Sequence, residues 1–240
     1  MIPDYGDPAQ AFDPLSDPAI HPPGQRSRAR AVRPRRAATL VLIDQSRSEP
    51  ALLMGRRHAR HRFMPGKWVF PGGRTDRADS QAVRKLIGTP ADLAPAALQV
   101  LAPVAPPLTQ RALALAALRE TWEETGYRLP IDLSPLRVLG RAITPPWQAL
   151  RFDTLFFFVE ADPKLTLTEP AMPQTDELEA VDWMPIESAL SLDLPAITRF
   201  MILELGQRLK DPSRPAPEVR VQRGQRRIVP ILSEQPRYGR

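Results

Sequence analysis

Arg119-Glu120-Thr121-Trp122-Glu123-Glu124-Thr125-Gly126 closes an Ala- and Leu-rich run that reads as a helix from about Gln110 to Thr125. Ala and Leu are strong helix formers, and Gly just past the last turn is a common left-handed stop. On that helix Glu120, Glu123 and Glu124 stand at i, i+3 and i+4, so their carboxylates share one side. Leu115, Leu118 and Trp122 share the opposite side and are expected to face a core. Crowded carboxylates repel one another unless water screens them or a cation sits among them, and hard divalent ions prefer such oxygen clusters. A solvated acidic face is the ordinary reading of a charge run taken alone.

The stretch is not alone. Upstream, Phe70-Pro71-Gly72-Gly73-Arg74-Thr75-Asp76-Arg77-Ala78-Asp79 places a Gly pair and two carboxylates after a short apolar run. A Gly-Gly turn, an acid, and a helix ending in Arg-Glu-x-x-Glu-Glu-x-Gly together resemble the Nudix box. Gly73 fits its first Gly, Asp79 stands where its first Glu is expected, and Arg119, Glu120, Glu123, Glu124, Gly126 and Tyr127 fit its second half. Asp79 replaces a Glu, and Thr121 replaces an aliphatic residue. The 39 residues Ser80 to Leu118 stand where the family's box has about seven. The branch that includes animal peroxisomal coenzyme A diphosphatase carries such an insertion. Phe63-Met64-Pro65-Gly66, and Thr144-Pro145 followed by Arg151-Phe152-Asp153-Thr154, resemble that branch as well. The resemblance spans roughly residues 37 to 210.

That resemblance implies an α/β fold, a Nudix-type α/β/α sandwich with a mixed β-sheet and a helical insertion within the box. It implies Mg²⁺ or Mn²⁺ held by Glu120, Glu123, Glu124 and the Gly73 carbonyl, with Asp79 a further candidate ligand. Arg119 is expected to hold a box carboxylate in place. Glu177, with Glu160 second, is the candidate for an extra glutamate outside the box acting as base or ligand. The implied reaction is hydrolysis of a nucleoside diphosphate linked to another moiety, with coenzyme A or its esters leading. A small-molecule diphosphate is then the expected partner. Two rivals remain: a non-catalytic ligand sensor on the same fold, and a nucleic-acid-binding protein using basic ends.

The charge pattern bears on the second rival. Residues 26–36 carry six Arg and no acid, and residues 207–240 carry nine Arg or Lys against three acids. Residues 37–206 carry 18 basic against 20 acidic residues, so the basicity lives at the ends. No aromatic residue interleaves the N-terminal run, and such runs are usually solvated tails rather than nucleic-acid surfaces. The chain has no Cys, which excludes disulfides and thiol chemistry and suits a reducing cytoplasm. No export pattern or membrane-length apolar run is present, so a soluble cytoplasmic protein is expected. Nothing in the sequence speaks to oligomeric state.

In chain order, residues 1–36 read as a Pro- and Arg-rich arm, disordered or loosely attached. The hydrolase domain is expected over 37–210, with the insertion at 80–109. Strands are expected at Ala37–Asp44, Ala51–Arg57, Lys67–Phe70, Leu136–Ile143, Arg151–Val159 and Glu177–Trp183. Helices are expected over Gln81–Ile87, Leu93–Leu101, Pro185–Leu190 and Leu194–Lys210. The basic tail 211–240 is expected to hold a hairpin about Arg223-Gly224-Gln225, and Thr166–Asp176 a loop. Arg56 and Arg57 read equally as phosphate contacts and as edge-strand charges. Arg151 joins them as a substrate-binding candidate, and its i, i+2 spacing to Asp153 suits an ion pair. Three consecutive Phe, 156–158, imply a strand buried on both faces or a wall of the cleft. Asp76 is the favoured helix N-cap. His58 and His61 lack partners for a zinc site and read as surface residues. The insertion is expected near the metal, as a lid or selectivity element.

Overall fold

A computed structural model describes residues 3–11, 32–61, 64–162, 171–173, 175–222 and 225–231. Phe63, most of the N-terminal arm, much of the Thr166–Asp176 loop, the hairpin tip Arg223-Gly224 and residues 232–240 lie outside the described residues.

The apolar runs form one mixed sheet. β1 (Arg35–Asp44) pairs antiparallel with β2 (Ala51–Arg57), and β2 with β3 (Trp68–Val69). β4 (Gly72–Arg74) pairs antiparallel with the first half of β1. On its other edge β1 runs parallel to β6 (Phe152–Glu160), which pairs antiparallel with β5 (Arg137–Ile143). β7 (Leu178–Pro185) closes on β2. Beyond residue 210, β8 (Pro217–Gln222) lies parallel to β5 and antiparallel to β9 (Gln225–Pro230). The sheet therefore continues into the basic C-terminal segment.

Two-residue alternation divides the core between the two faces. Ala38, Leu40, Leu42, Leu155 and Phe157 point into one cluster, with α4 (Pro107–Thr125). Val41, Ile43, Phe156 and Phe158 point into the other, against α5 (Ile186–Leu190) and α6 (Ala196–Lys210). The three consecutive Phe are buried on both faces, as expected. Helix, sheet and helix stack as the α/β/α sandwich that the sequence implied.

Helix α4 is enclosed on more than its sheet-facing side. α2 (Arg77–Ala82), a short 3₁₀ turn (Val83–Lys85) and α3 (Pro95–Leu101) fold over it. Val83, Leu93, Ala97 and Leu101 join its core cluster. Arg111 of α4 reaches across to Asp92 with paired bonds of 2.6 and 2.8 Å. The insertion therefore wraps the N-terminal half of α4, where residues 112–118 are all Ala or Leu. Leu115 and Leu118 are buried as expected, while Trp122 is half-buried with the Arg128 guanidinium over its ring.

The N-terminus, with the short helix α1 (Pro8–Ala11), also touches the body. Tyr5 lies against Gly206 of α6, and Asp4 pairs with Lys210 at 3.1 Å. Among the described residues no helix is long and apolar enough to cross a membrane.

Candidate active site

Helix α4 ends where the sequence predicted, with Gly126 at φ 76° as its left-handed stop. Thr121, at the box's aliphatic position, is fully buried and donates its hydroxyl to the Ala117 carbonyl at 2.8 Å, so the departure leaves no unpaired group. The last turn meets β4. The Gly72 N–H donates to Glu124 Oε2 at 2.8 Å. The Glu120 carboxylate lies against Gly73 so closely that any Cβ there would overlap it. The Gly pair is thus a matter of room: a side chain at Gly73 would run into Glu120, and one at Gly72 into β1 at Ala38 and Thr39.

Glu124 is 1% exposed, and its Oε1 is buried with no hydrogen-bond partner. Burial pushes its carboxyl up to about 8, against the Gly72 N–H and the Arg57 charge, with Glu120 and Glu177 adding to the rise. Burial likewise raises Glu120, opposed by Arg119.

Arg119 is the hub. It donates to Glu123 Oε2 at 2.8 Å, to Asp79 at 3.0 and 3.2 Å, and to the Arg74 carbonyl at 2.9 Å. Glu120 stands 3.1 Å from it. Burial works against the guanidinium charge, but Asp79, Glu120 and Glu123 hold its proton more tightly than usual. Asp79 is therefore not a free metal ligand. It is 2% exposed, and both its oxygens accept from Arg119. With Asp76 it also forms a reciprocal cap on α2, and Asp76 is the N-cap as expected. The shorter Asp in place of Glu makes a clamp that orients Arg119.

Of the expected phosphate-binding arginines, Arg57 alone lines the cavity beside these acids. Its Nη1 lies 3.0 Å from His61 Nδ1, and its Nε is buried without a partner. His61 in turn stands 3.3 Å from Glu177, so Glu177 is brought to the site from the start of β7. Arg56, next along the strand, faces the other way and pairs with Glu179 at 2.6 Å. Arg151 donates to the carbonyls of Thr144 and Val32, and Asp153 is taken by Arg141 instead, at 2.7 Å. Glu160 is exposed at the far end of β6. Arg151 therefore forms no pair with Asp153, and it braces backbone rather than substrate.

A cavity of about 940 Å³ opens beside Glu120. Arg35, Arg57, Arg74 and Arg119 line it with Glu120 and Glu177, and Phe152, Phe156 and Ile197 supply apolar wall. No residue of 80–109 lines it, so the insertion is a brace on α4 and not a lid. Sequence reading missed Arg74, Thr39 and the β8 residues Val219 to Val221 in this lining. Their two-residue alternation was visible, but their convergence depends on strand order.

A divalent cation fits this donor set in part. Glu124 Oε1 is an orphaned buried acceptor, and Glu120 abuts it electrostatically. Glu123 and Asp79 are held by Arg119, and among the described residues no three His, Asp or Glu side chains are gathered to ligate an ion as they stand.

The chain is similar to known Nudix proteins. Residues 110–203 match the NUDIX domain. A NUDIX hydrolase from Alicyclobacillus acidocaldarius is 27% identical over 72% of this chain and 91% of that one, with a TM-score of 0.58. A MutT NUDIX hydrolase from Burkholderia pseudomallei is 18% identical over 72% and 99%, with a TM-score of 0.46. The NUDIX domain of Shewanella oneidensis NrtR, in complex with ADP ribose, is 16% identical over 74% and 90%, with a TM-score of 0.49.

Proposed function

We propose that this chain is a Nudix hydrolase that cleaves the diphosphate of a nucleoside diphosphate linked to another moiety, in the presence of Mg²⁺ or Mn²⁺. Coenzyme A or its esters are the leading substrates. The observation that carries this reading is the orphaned, buried Glu124 oxygen behind Glu120, the box carboxylate that lines the cavity. A group in that state is costly in a metal-free protein and becomes useful when a cation joins it.

Glu120, Glu123 and Glu124, with the Gly73 carbonyl, would hold the metal. A divalent ion bound there neutralises diphosphate oxygens and lowers the pKa of water. Arg57, with an unpartnered buried Nε, binds a substrate phosphate oxygen. Arg119 positions Glu123 and Glu120, and Asp79 positions Arg119. Glu177 stands across the cavity as the base that accepts a proton from attacking water. For coenzyme A the products are adenosine 3′,5′-bisphosphate and 4′-phosphopantetheine. A chain without Cys needs no oxidising compartment, and a cytoplasmic location is part of this reading.

The test is a panel of coenzyme A, ADP-ribose and diadenosine diphosphate incubated with Mg²⁺ or Mn²⁺, with products separated by chromatography. Metal-dependent appearance of two monophosphates, lost in Glu124→Gln, is the expected result. Intact substrates throughout, with either metal, would overturn the reading.

A further inference from the structure

Five strands place one residue each on a single line across the cavity floor. Arg74 of β4 is opposite Ala37 of β1, Ala37 is opposite Thr154 of β6, Thr154 is opposite Ala142 of β5, and Ala142 is opposite Val219 of β8. All five line the cavity. Cross-strand partners share a face, so the line is continuous in space. The residues between Arg74 and β8 are small: Ala37, Thr154 and Ala142. Thr154 and Ala142 are half-exposed, while Phe152 and Phe156 rise beside them on β6. The result is a trough, low along its middle and walled by aromatic rings.

The trough starts at the acids, since Gly73, beside Arg74, abuts Glu120. It ends at β8, where Val219 closes the floor and half-exposed Val221 stands at the lip. Four strand spacings separate Arg74 from Val219, about 19 Å. A free ribose phosphate would leave most of that length empty, whereas an extended arm fills it.

We infer that the moiety linked to the diphosphate is elongate and uncharged along its length, lies across the strands in this trough over buried Val219, and is read at its far end by half-exposed Val221 of β8. This inference rests on the diphosphatase reading above, and deepens it by giving the substrate's reach. β8 lies outside the segment that matches the NUDIX domain. Selectivity is therefore carried by residues that the box does not contain.

The test uses the full chain, ADP-ribose, diadenosine diphosphate and coenzyme A, whose groups beyond the diphosphate differ in reach. Binding is measured by calorimetry in EDTA, and cleavage by initial rates with Mg²⁺. Val221→Asp charges the far end, and Ala142→Phe blocks the trough midway. The ratio of coenzyme A to ADP-ribose, in affinity and in kcat/KM, is expected to fall at least tenfold in both variants. Diadenosine diphosphate should lose more in Ala142→Phe than in Val221→Asp. If Val221→Asp does not fold, as judged by melting, Val221→Thr should lower the ratio in the same direction. Equal losses on all three compounds would overturn the trough while leaving the hydrolase reading intact. No cleavage of any compound, with the graded binding losses retained, would overturn the hydrolase reading and leave the trough.

Discussion

At the N-terminal end of α4, Arg111 forks onto one carboxylate, Asp92, and both side chains are about 10% exposed. At its C-terminal end, Arg119 faces Asp79, Glu120 and Glu123 at once, with Glu124 buried a turn away. The chemistry of each contact is the same. The charge balance is not: the first cluster is neutral and closed, while the second gathers four carboxyls about Arg119, and burial raises two of them, Glu120 and Glu124. A buried pair that is complete is a fastening, whereas one short of positive charge is a socket.

Removing a carboxylate at each end separates the two roles most sharply. Glu124→Gln is expected to lower the hydrolysis rate on the order of 100-fold or more, as for loss of a group that stabilises charge at the reacting centre. Its melting temperature without metal at neutral pH should change little, because a carboxyl pushed up to about 8 is mostly protonated there and Gln is a near-isosteric neutral replacement. Initial rates and thermal melts on one preparation check both halves. Breaking the neutral cluster should do the reverse. Arg111→Ala leaves Asp92 buried and unpaired and should cost about 3 kcal/mol of stability by urea unfolding, with kcat of the folded protein little changed.

A third measurement uses the ion itself. Mg²⁺ or Mn²⁺ should raise the melting temperature of the wild type, by about 2.7 kcal/mol of stability at a hundredfold excess over Kd, and raise that of Glu124→Gln much less. Arg119→Lys keeps the charge but loses the fork that grips Asp79 and Glu123, so kcat should fall about tenfold while KM for substrate moves less.

The smallest effect is in acid. The Arg111 guanidinium, opposed by burial, holds the Asp92 carboxyl below its usual range. Its folded pKa is therefore depressed below the unfolded value of about 3.9, so the stability it contributes is present above that pH and is lost as pH falls through the lower folded value. In Asp92→Asn that part of the acid limb should disappear from a melting-versus-pH profile. An unchanged limb would mean that the closed cluster is not the fastening its geometry implies.

How much of this was readable follows from the range of each interaction. The strands and helices came through as short apolar runs and 3.6-residue periodicity, because those patterns are local. The box acids were legible since their spacing lies on one helix. Asp79 as a clamp, and Arg56 turned away from Arg57, needed the third dimension. So did the insertion: its helices were visible at Leu93–Leu101, but nothing local says that they pack on the Ala-rich half of α4 and leave the cavity open. Arg141 shows the limit well. It binds Asp153 on β6 and Glu218 on β8 at 2.7 Å each, a tie across three strands that is 77 residues long at its far partner. The expected hairpin near Arg223 carried no sign that its first strand would run parallel to β5.

The separation of β8 from the box has an evolutionary consequence. Residues 72–79 and 119–126 carry the acids, their arginine and the glycines that make room for them, and almost any change there is felt at the reacting bond. Residues 217–222 touch the cavity about 19 Å away and are attached through Arg141 and the β5 edge. Mutations in that short strand can drift, be selected or be exchanged by recombination without disturbing the chemistry. A lineage carrying this arrangement can change its diet while keeping its teeth.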